Sequence, residues 1–185
     1  MSFRTTFILL AALLLLGGYV YFIELGKRPA LAPLPPEVWS VREDDIVAIE
    51  VRHRGEKTAF RKSQDGRWQF DNTQRTEVNL ERWGGIPLLV SGPRSKRLLA
   101  QEVDDLGRYG LERSSTEIVV GLNDGQRVDV LLGDKTPDEL NYYVNQIGYD
   151  SVYLVDATWG DVLIRLVTEP PYPVPTPTSS PTATP

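Results

Sequence analysis

Few side chains in this sequence have the type and spacing that catalysis requires. His53 is the single histidine, and it lies between two arginines on a predicted strand, where positive neighbours oppose its protonation. Ser91 and Ser95 precede Lys96, but a lysine that activates a serine must be buried, and this basic stretch is typical of a solvated surface. A hydrolase that uses Ser95 stays a minor alternative. We expect His53 to face solvent, and we expect no catalytic residue and no enzymatic activity.

Metal and cofactor sites are not indicated by the sequence either. The chain has no cysteine and one histidine, so thiolate and multi-histidine zinc sites are excluded. Asp134, Asp138 and Glu139 surround Pro137 and could hold a hard cation, but such residues more commonly form a polar turn. The glycines do not follow the phosphate-loop pattern. We therefore expect no cofactor and no resident metal ion.

The charge balance narrows the class of partner. The 185 residues include 20 Lys and Arg and 25 Asp and Glu, a net charge of -5, which argues against a nucleic-acid binder held by phosphate contacts. Residues 38–97 hold 12 basic and 9 acidic residues, whereas residues 98–169 hold 5 basic and 14 acidic residues. The 41% hydrophobic and 24% charged residues are close to globular averages. The difference in charge between residues 38–97 and residues 98–169 suits docking against a charged protein.

Two stretches of the chain are candidates for the surface that contacts such a partner. A basic stretch follows a predicted loop, and acidic clusters occur in the second half. Complementary charge on the partner would orient and speed association. The candidate residues are Arg94, Lys96, Arg97, Asp104, Asp105, Glu112, Asp138 and Glu139.

An apolar run near the amino terminus predicts a membrane anchor. Residues 5–23 carry no charge, and a helix of that length crosses the hydrocarbon core of a bilayer. A cleaved signal peptide is the alternative, because Ala30-Leu31-Ala32 has the form of a cleavage site, although Pro33 follows it directly. We predict an uncleaved transmembrane anchor over residues 1–28 that contacts the lipid bilayer. The anchor residues include Phe7, Leu10, Leu14, Gly17, Gly18, Tyr21 and Ile23.

Proline-rich segments flank the rest of the chain. Residues 29–36 form an extended spacer, and residues 169–185 form a disordered Pro/Thr/Ser-rich tail, either a stalk or a recognition segment. Lys27 and Arg28 outnumber Arg4, which by itself favours a cytoplasmic domain. Three features favour a domain outside the cytoplasm: the terminal position of the anchor, the lack of cysteine and the uncharged tail. We predict a single-pass protein of the bacterial cytoplasmic membrane with its domain outside the cytoplasm.

Residues 37–168 have the periodicity of an α+β domain that is mainly antiparallel sheet. The segment from Ile46 to Asp71 predicts a three-stranded meander, and the segment from Thr116 to Leu132 predicts a hairpin. Residues 76–90 have helical spacing, but two glycines and a proline interrupt it. Two more strands precede a helix that Asp156 caps and whose apolar stripe must pack on the sheet. The stripe consists of Trp159, Val162, Leu163, Leu166 and Val167.

Several short motifs occur in an order that resembles a bacterial family. They are Trp39-Ser40, Asp65-Gly66-x-Trp68, Tyr109-Gly110-Leu111, Leu132-Gly133-Asp134-x-Thr136-Pro137, Tyr143-Val144 and Val152-Tyr153-Leu154-Val155. Over residues 39–168 the chain is similar to the family catalogued as domain of unknown function 4340. The resemblance implies a membrane-anchored envelope protein without established catalytic residues, and some members are encoded beside transport components linked to gliding motility.

A membrane anchor and a charge-asymmetric domain without evident catalytic residues together predict a non-catalytic accessory or structural subunit of a bacterial membrane or envelope complex. One helix would anchor it, and its β-rich domain would dock against the partner. The alternative is an envelope module that binds a peptide or a carbohydrate, since aromatic side chains combine an apolar ring with a polar group. The tyrosines that would line its groove are Tyr142, Tyr143, Tyr149 and Tyr153.

Overall fold

The computed structural model describes residues 3, 13–19, 36–100 and 103–173. Its contacts divide the chain into two units, Met1–Leu34 and Pro35–Pro185. In the first unit residues 13–19 are helical, with Leu14 and Gly17 exposed and Gly18 half-buried. No helix within the described ranges is both long and apolar enough to span a membrane. The remaining predicted anchor residues lie outside the described residues: Phe7, Leu10, Tyr21 and Ile23.

An eight-stranded sheet forms the second unit, and every pair of neighbouring strands is antiparallel. The spatial order is β3-β2-β1-β5-β6-β7-β8-β4. This confirms the predicted meander and hairpin and the predicted mainly antiparallel α+β architecture. The strands are β1 (Ile46–His53), β2 (Glu56–Lys62), β3 (Trp68–Phe70), β4 (Arg97–Ala100), β5 (Thr116–Leu122), β6 (Arg127–Lys135), β7 (Asn141–Gln146) and β8 (Val152–Asp156).

Alternating side chains give the sheet two different faces. Val120 on β5 lies opposite Val128 on β6 and Ile49 on β1, and Ile49 lies opposite Phe60 on β2. All four are buried, and their side of the sheet is called the helix face. Residues between them along each strand point the other way, because side chains alternate across a strand. That second side is called the outer face.

One long helix, α3 (Ala157–Thr168), covers part of the helix face. Asp156 caps it, since its side chain accepts a hydrogen bond from the Thr158 backbone N–H at 3.0 Å. The helix contacts β1, β2, β7 and β8. Its predicted apolar stripe is confirmed: Trp159, Leu163, Leu166 and Val167 are buried, and Val162 is half-buried.

A polar network fastens α3 to the sheet. The Tyr142 hydroxyl donates to Asp161 Oδ1 at 2.7 Å, and Lys135 Nζ lies 3.0 Å from Asp161 Oδ2. Burial raises the pKa of the Tyr142 phenol, and the Asp161 carboxylate raises this pKa further. Gly160 permits this close approach, because a Cβ there would lie 2.6 Å from the Tyr142 ring.

Two short helices replace the interrupted helix predicted over residues 76–90. They are α1 (Leu80–Trp83) and α2 (Ile86–Ser91), so the predicted interruption is confirmed. Asn79 begins α1 by accepting hydrogen bonds from the backbone N–H groups of the second and third residues after it. Gly85 separates the two helices with φ 81°, a left-handed conformation that glycine adopts without strain.

The carboxyl-terminal chain stays packed beyond residue 168, the boundary expected from the sequence. The Tyr172 ring stacks on Phe70 with centroids 4.6 Å apart, and the Asn79 N–H donates to the Pro171 carbonyl at 2.8 Å. Arg82 donates to the carbonyl oxygens of Glu169 and Pro170. The tail therefore begins as part of the domain. Residues 174–185, the rest of the predicted disordered tail, lie outside the described residues.

Truncating the helix stripe tests the packing of α3. Leu163 is fully buried, so Leu163→Ala should lower the free energy of unfolding by about 2–5 kcal/mol through lost burial and the cavity it leaves. Leu80, which is 76% exposed, provides the matched control Leu80→Ala. Denaturant unfolding followed by tryptophan fluorescence measures both. Equal effects of the two substitutions would contradict the packing described.

Candidate functional site

Two separate motifs meet on the outer face of the sheet. Gly133 on β6 lies against the loop before β5: a Cβ there would be 2.1 Å from the Tyr109 carbonyl oxygen and 3.0 Å from Leu111 Cγ. In turn, a Cβ on Gly110 would lie 2.5 Å from Asp134 Cγ. One contact therefore joins the two motifs, Tyr109-Gly110-Leu111 and Leu132-Gly133-Asp134. The glycine of each motif leaves room for atoms of the other motif.

A third motif joins this contact through its tyrosine. The rings of Tyr109 and Tyr143 lie 5.0 Å apart at 57°. Tyr143 lies opposite Leu154 on β8, and Leu154 lies opposite Arg97 on β4, so these three side chains form one row across the outer face. The residues brought together here are called the motif surface: Arg97, Tyr109–Leu111, Gly133, Asp134, Tyr143 and Leu154.

A β-bulge positions the acidic end of β6. The pairing of β6 with β7 shifts between Leu132 and Lys135, which redirects the residues between them. The chain then turns at Thr136, whose hydroxyl contacts Asp138 Oδ1, and the Leu140 N–H donates to the same oxygen at 3.1 Å. These hydrogen bonds, with Thr136 the larger cause, lower the pKa of the Asp138 carboxyl. Asp138 therefore stabilises the turn.

The carboxylates considered for a cation are not gathered into one site. Asp134 rests on Gly110, whereas Asp138 belongs to the turn and Glu139 is exposed beside it. Over residues 36–100 and 103–173, the structure groups no three His, Asp or Glu side chains in a way that could hold a metal ion. The polar turn that the sequence favoured at this position is the arrangement found.

Three of the predicted partner residues surround a 3-10 turn at the edge of the motif surface. Asp105 begins this turn, Leu106–Tyr109, by accepting from the Gly107 N–H at 2.9 Å. A Cβ on Gly107 would lie 3.0 Å from Asp105 Oδ1 and 3.1 Å from Glu112 Oε2, so both carboxylates flank it. Asp104 precedes them and is exposed. The structure thus brings Arg97 and this acidic group to the same face.

Apart from Lys96, the charged residues predicted for partner contact have no ion pairs among the described residues, unlike charges elsewhere on the sheet. On the other half of the outer face, Arg52 pairs with Glu50 at 2.6 Å and with Glu117 at 2.9 Å. Among the described residues no cation lies within ion-pair distance of these exposed acidic side chains: Asp104, Asp105, Glu112, Asp134, Asp138 and Glu139. The carboxylates around the motif surface are therefore not compensated by ion pairs, and Arg97, the cation of this surface, is exposed and also has no ion pair among the described residues.

The serine and lysine considered for hydrolysis do not contact each other as a catalytic pair. Ser95 is 1% exposed, and its hydroxyl lies 2.8 Å from the Arg97 carbonyl oxygen and 3.0 Å from that of Leu154. Lys96 is exposed, and its Nζ lies 3.3 Å from Asp156 Oδ2. Ser91 donates to the Leu88 carbonyl oxygen at 2.8 Å. Ser95 thus satisfies backbone hydrogen-bonding groups next to the start of β4.

His53 is more enclosed than the expected solvent-facing residue. It is half-buried, and its Nδ1 lies 2.7 Å from Thr116 Oγ1 on β5. The two residues are directly opposite on paired strands, which accounts for the contact. Burial lowers the pKa of the imidazole, and the Arg54 guanidinium lowers this pKa further, in agreement with the predicted opposition to protonation.

The four tyrosines proposed for a groove lie in different places, so that part of the alternative is wrong. Tyr142 is buried on the helix face, bonded to Asp161, and Tyr143 points to the outer face. Tyr153 packs against the core opposite Leu98, whereas Tyr149 is exposed in the turn between β7 and β8. Alternation along β7 separates the two adjacent tyrosines.

A cavity lies where the chain enters the domain, and the sequence did not predict it. Its volume is about 580 Å³. Residues far apart in the chain meet there, so no local pattern could have indicated it. It is called the N-terminal cavity, and its lining includes Glu37, Ser40, Leu88, Leu89, Ser91, Arg94, Val155, Asp156 and Trp159.

A methyl group at Gly133 tests the contact between the two motifs. Gly133→Ala should lower the free energy of unfolding by about 1–3 kcal/mol, because the new Cβ meets the backbone carbonyl of Tyr109. Gly84 is the matched control, since a Cβ there meets no atom nearer than 3.4 Å and its φ is -51°. Thermal or denaturant unfolding of the two variants provides the comparison. A Gly133→Ala protein as stable as Gly84→Ala would refute the contact.

Protonation of His53 should make folding stability depend on pH. The folded-state pKa lies below the ordinary value of 6.5, so the unfolded chain takes up the proton more readily. This contribution is fully present above that value and is lost as the pH falls through the folded-state pKa. Replacing His53 by Gln should weaken the loss of stability between about pH 7.5 and 5.5. Denaturation midpoints at both pH values measure it, and identical pH profiles would reject it.

Comparison with known proteins gives one family. A family model described as domain of unknown function, DUF4340, matches residues 68–168, more than half of the chain. That range contains the motifs that form the motif surface and begins after Trp39-Ser40. The same comparisons find no matching curated protein and no matching solved structure. The chain therefore belongs to the DUF4340 family of domains of unknown function.

Proposed function

We propose that this protein is a non-catalytic accessory or structural subunit of a bacterial membrane or envelope complex, and that it docks through the motif surface. The observation that carries the proposal is the set of exposed carboxylates without ion pairs around that surface. Exposed charges on a partner-free surface remain solvated, and a basic partner would replace that solvation by complementary contacts. Such complementarity mainly sets the orientation and rate of association.

Rigidity of the motif surface supports the same proposal. The Tyr109 carbonyl against Gly133 and the capped turn at Asp105 fix the loop on the sheet. A partner therefore meets a surface that is already ordered, which reduces the entropy lost on association. Tyr109 and Tyr143 supply aromatic area beside the charges, and tyrosine is enriched among the residues that dominate binding energy.

The proposal includes a membrane anchor, which rests on the amino-acid sequence. The uncharged run of residues 5–23 would hold the chain in the bacterial cytoplasmic membrane, with the domain outside the cytoplasm. Anchoring confines the domain to the neighbourhood of membrane partners, which raises its effective concentration. A modest docking affinity is then sufficient.

The alternative, an envelope module that binds a small ligand, has support from the N-terminal cavity instead of the tyrosines. Its volume of about 580 Å³ lies within the range of about 300–1,000 Å³ that is common for ligand pockets. An accessory subunit can also bind a ligand, so the two functions are compatible in one domain.

Charge reversal tests the docking proposal. The triple variant Asp104→Lys, Glu112→Lys and Glu139→Lys should reduce recovery of the partner by about tenfold or more, because like charges facing across an interface cost several kcal/mol. The tagged full chain is extracted from native membranes in mild detergent, and co-purifying proteins are quantified by mass spectrometry. Asp105 is left unchanged because it caps a turn.

A control with the same change in net charge separates a local effect from a general one. Glu43→Lys, Asp44→Lys and Glu56→Lys alter three exposed residues on the other half of the domain. This control variant should retain the partner. Loss of the partner from both variants, or from neither, would defeat docking through the motif surface.

A further inference from the structure

The N-terminal cavity has an apolar wall. Leu88 and Leu89 contribute aliphatic surface, and Leu88 is 63% exposed although it is a leucine, while the buried Val155 and Trp159 complete the apolar lining. The Trp159 indole N–H donates to the Leu89 carbonyl oxygen at 2.9 Å. Because its polar atom is already satisfied, the indole offers the cavity only apolar surface. This wall suits an aliphatic chain.

Two opposite charges lie at the rim of the cavity without pairing. Glu37 and Arg94 are partners in an isolated antiparallel bridge, so their Cβ atoms are about 4.5–5.5 Å apart on the same side. Both are exposed and line the cavity, yet no ion pair forms between them. A carboxylate and a guanidinium held side by side match a ligand group that carries both a negative and a positive charge.

The third charge at the rim is already neutralised. Asp156 accepts from the Thr158 N–H at the start of α3, and its Oδ2 lies 3.3 Å from Lys96 Nζ. Hydrogen bonds from Thr158 and then Lys96 lower the pKa of this carboxyl, so it remains charged but compensated. Ligand charge would therefore be recognised by Glu37 and Arg94.

We propose that the N-terminal cavity binds a zwitterionic phospholipid of the phosphoethanolamine type. Arg94 contacts the phosphate, Glu37 contacts the ammonium group, and the first part of an acyl chain lies against Leu88 and Trp159. The inference rests on the proposed membrane location.

The four tryptophans provide a direct assay, because all lie in the domain and none lies in the apolar run. Trp159 lines the cavity and Trp39 lies 5.9 Å from it, whereas Trp68 and Trp83 belong to another aromatic cluster. The full chain is placed in nanodiscs whose phosphatidylethanolamine or phosphatidylglycerol carries brominated acyl chains. Bromine quenches nearby tryptophan fluorescence.

Brominated phosphatidylethanolamine should quench the wild-type protein at least threefold more than brominated phosphatidylglycerol. Trp159→Phe should remove most of that quenching. Arg94→Glu should abolish the preference, and Glu37→Arg should transfer it to phosphatidylglycerol, because two cations then face the phosphate. The exchange of both charges, Glu37→Arg with Arg94→Glu, should restore the original preference. Arg113→Glu changes an exposed arginine outside both the cavity and the motif surface, so it is the matched control and should leave the preference unchanged.

Each failure has its own meaning. Equal quenching by the two lipids, or loss of preference in Arg113→Glu as well as Arg94→Glu, would overturn the lipid site while leaving the proposed function intact. A chain that stays in the nanodisc but shows no quenching also overturns the site. Failure of the chain to remain in nanodiscs would overturn the proposed membrane location, and the lipid site with it.

Discussion

Covering one face of a wide sheet is the constraint on which this domain depends. Eight strands span about 34 Å, whereas the twelve residues of α3 extend about 18 Å. One helix therefore cannot bury the whole helix face. Trp39, α1, α2 and Tyr172 complete the cover: Trp39 meets Trp159, Trp83 meets Phe60, and Tyr172 stacks on Phe70. The irregular segments at both ends of the domain are thus part of its core, and the N-terminal cavity lies among them.

The same geometry decides how much could be predicted from the sequence. Alternation along β5 and β6, and the stripe of α3, follow from the local period of the chain, so these elements could be predicted. The contact of Gly133 with the Tyr109 carbonyl could not be predicted, because the sequence around a glycine does not show which distant residues pack against it. Nor does local pattern show that Ser95 is buried or that Glu37 lies opposite Arg94. The motifs were visible, but their convergence depends on strand order.

Two serine hydroxyls satisfy backbone groups at the start of a strand in the same way. Ser95 precedes β4 and Ser114 precedes β5, and each accepts from the backbone N–H two residues later while contacting that residue's carbonyl and one on the paired strand. For Ser114 the paired carbonyl is that of Leu132. Small polar residues therefore satisfy backbone groups where a strand begins beside another. This accounts for Ser95 without invoking catalysis.

The outer face has two halves with different electrostatic character, and strand pairing explains the difference. Along β1, β2 and β5, opposite charges are neighbours on one face. Glu50 pairs with Arg52 two residues along β1 and with Lys57 diagonally on β2, so the charges cancel locally. Around the motif surface, Asp105 and Glu112 flank Gly107 and Asp134 covers Gly110, so these carboxylates lie over glycine backbone and form no ion pairs among the described residues. The same loop holds the exposed cations Arg108 and Arg113, which also lack ion pairs among the described residues, so charges of both signs here stay solvated instead of pairing.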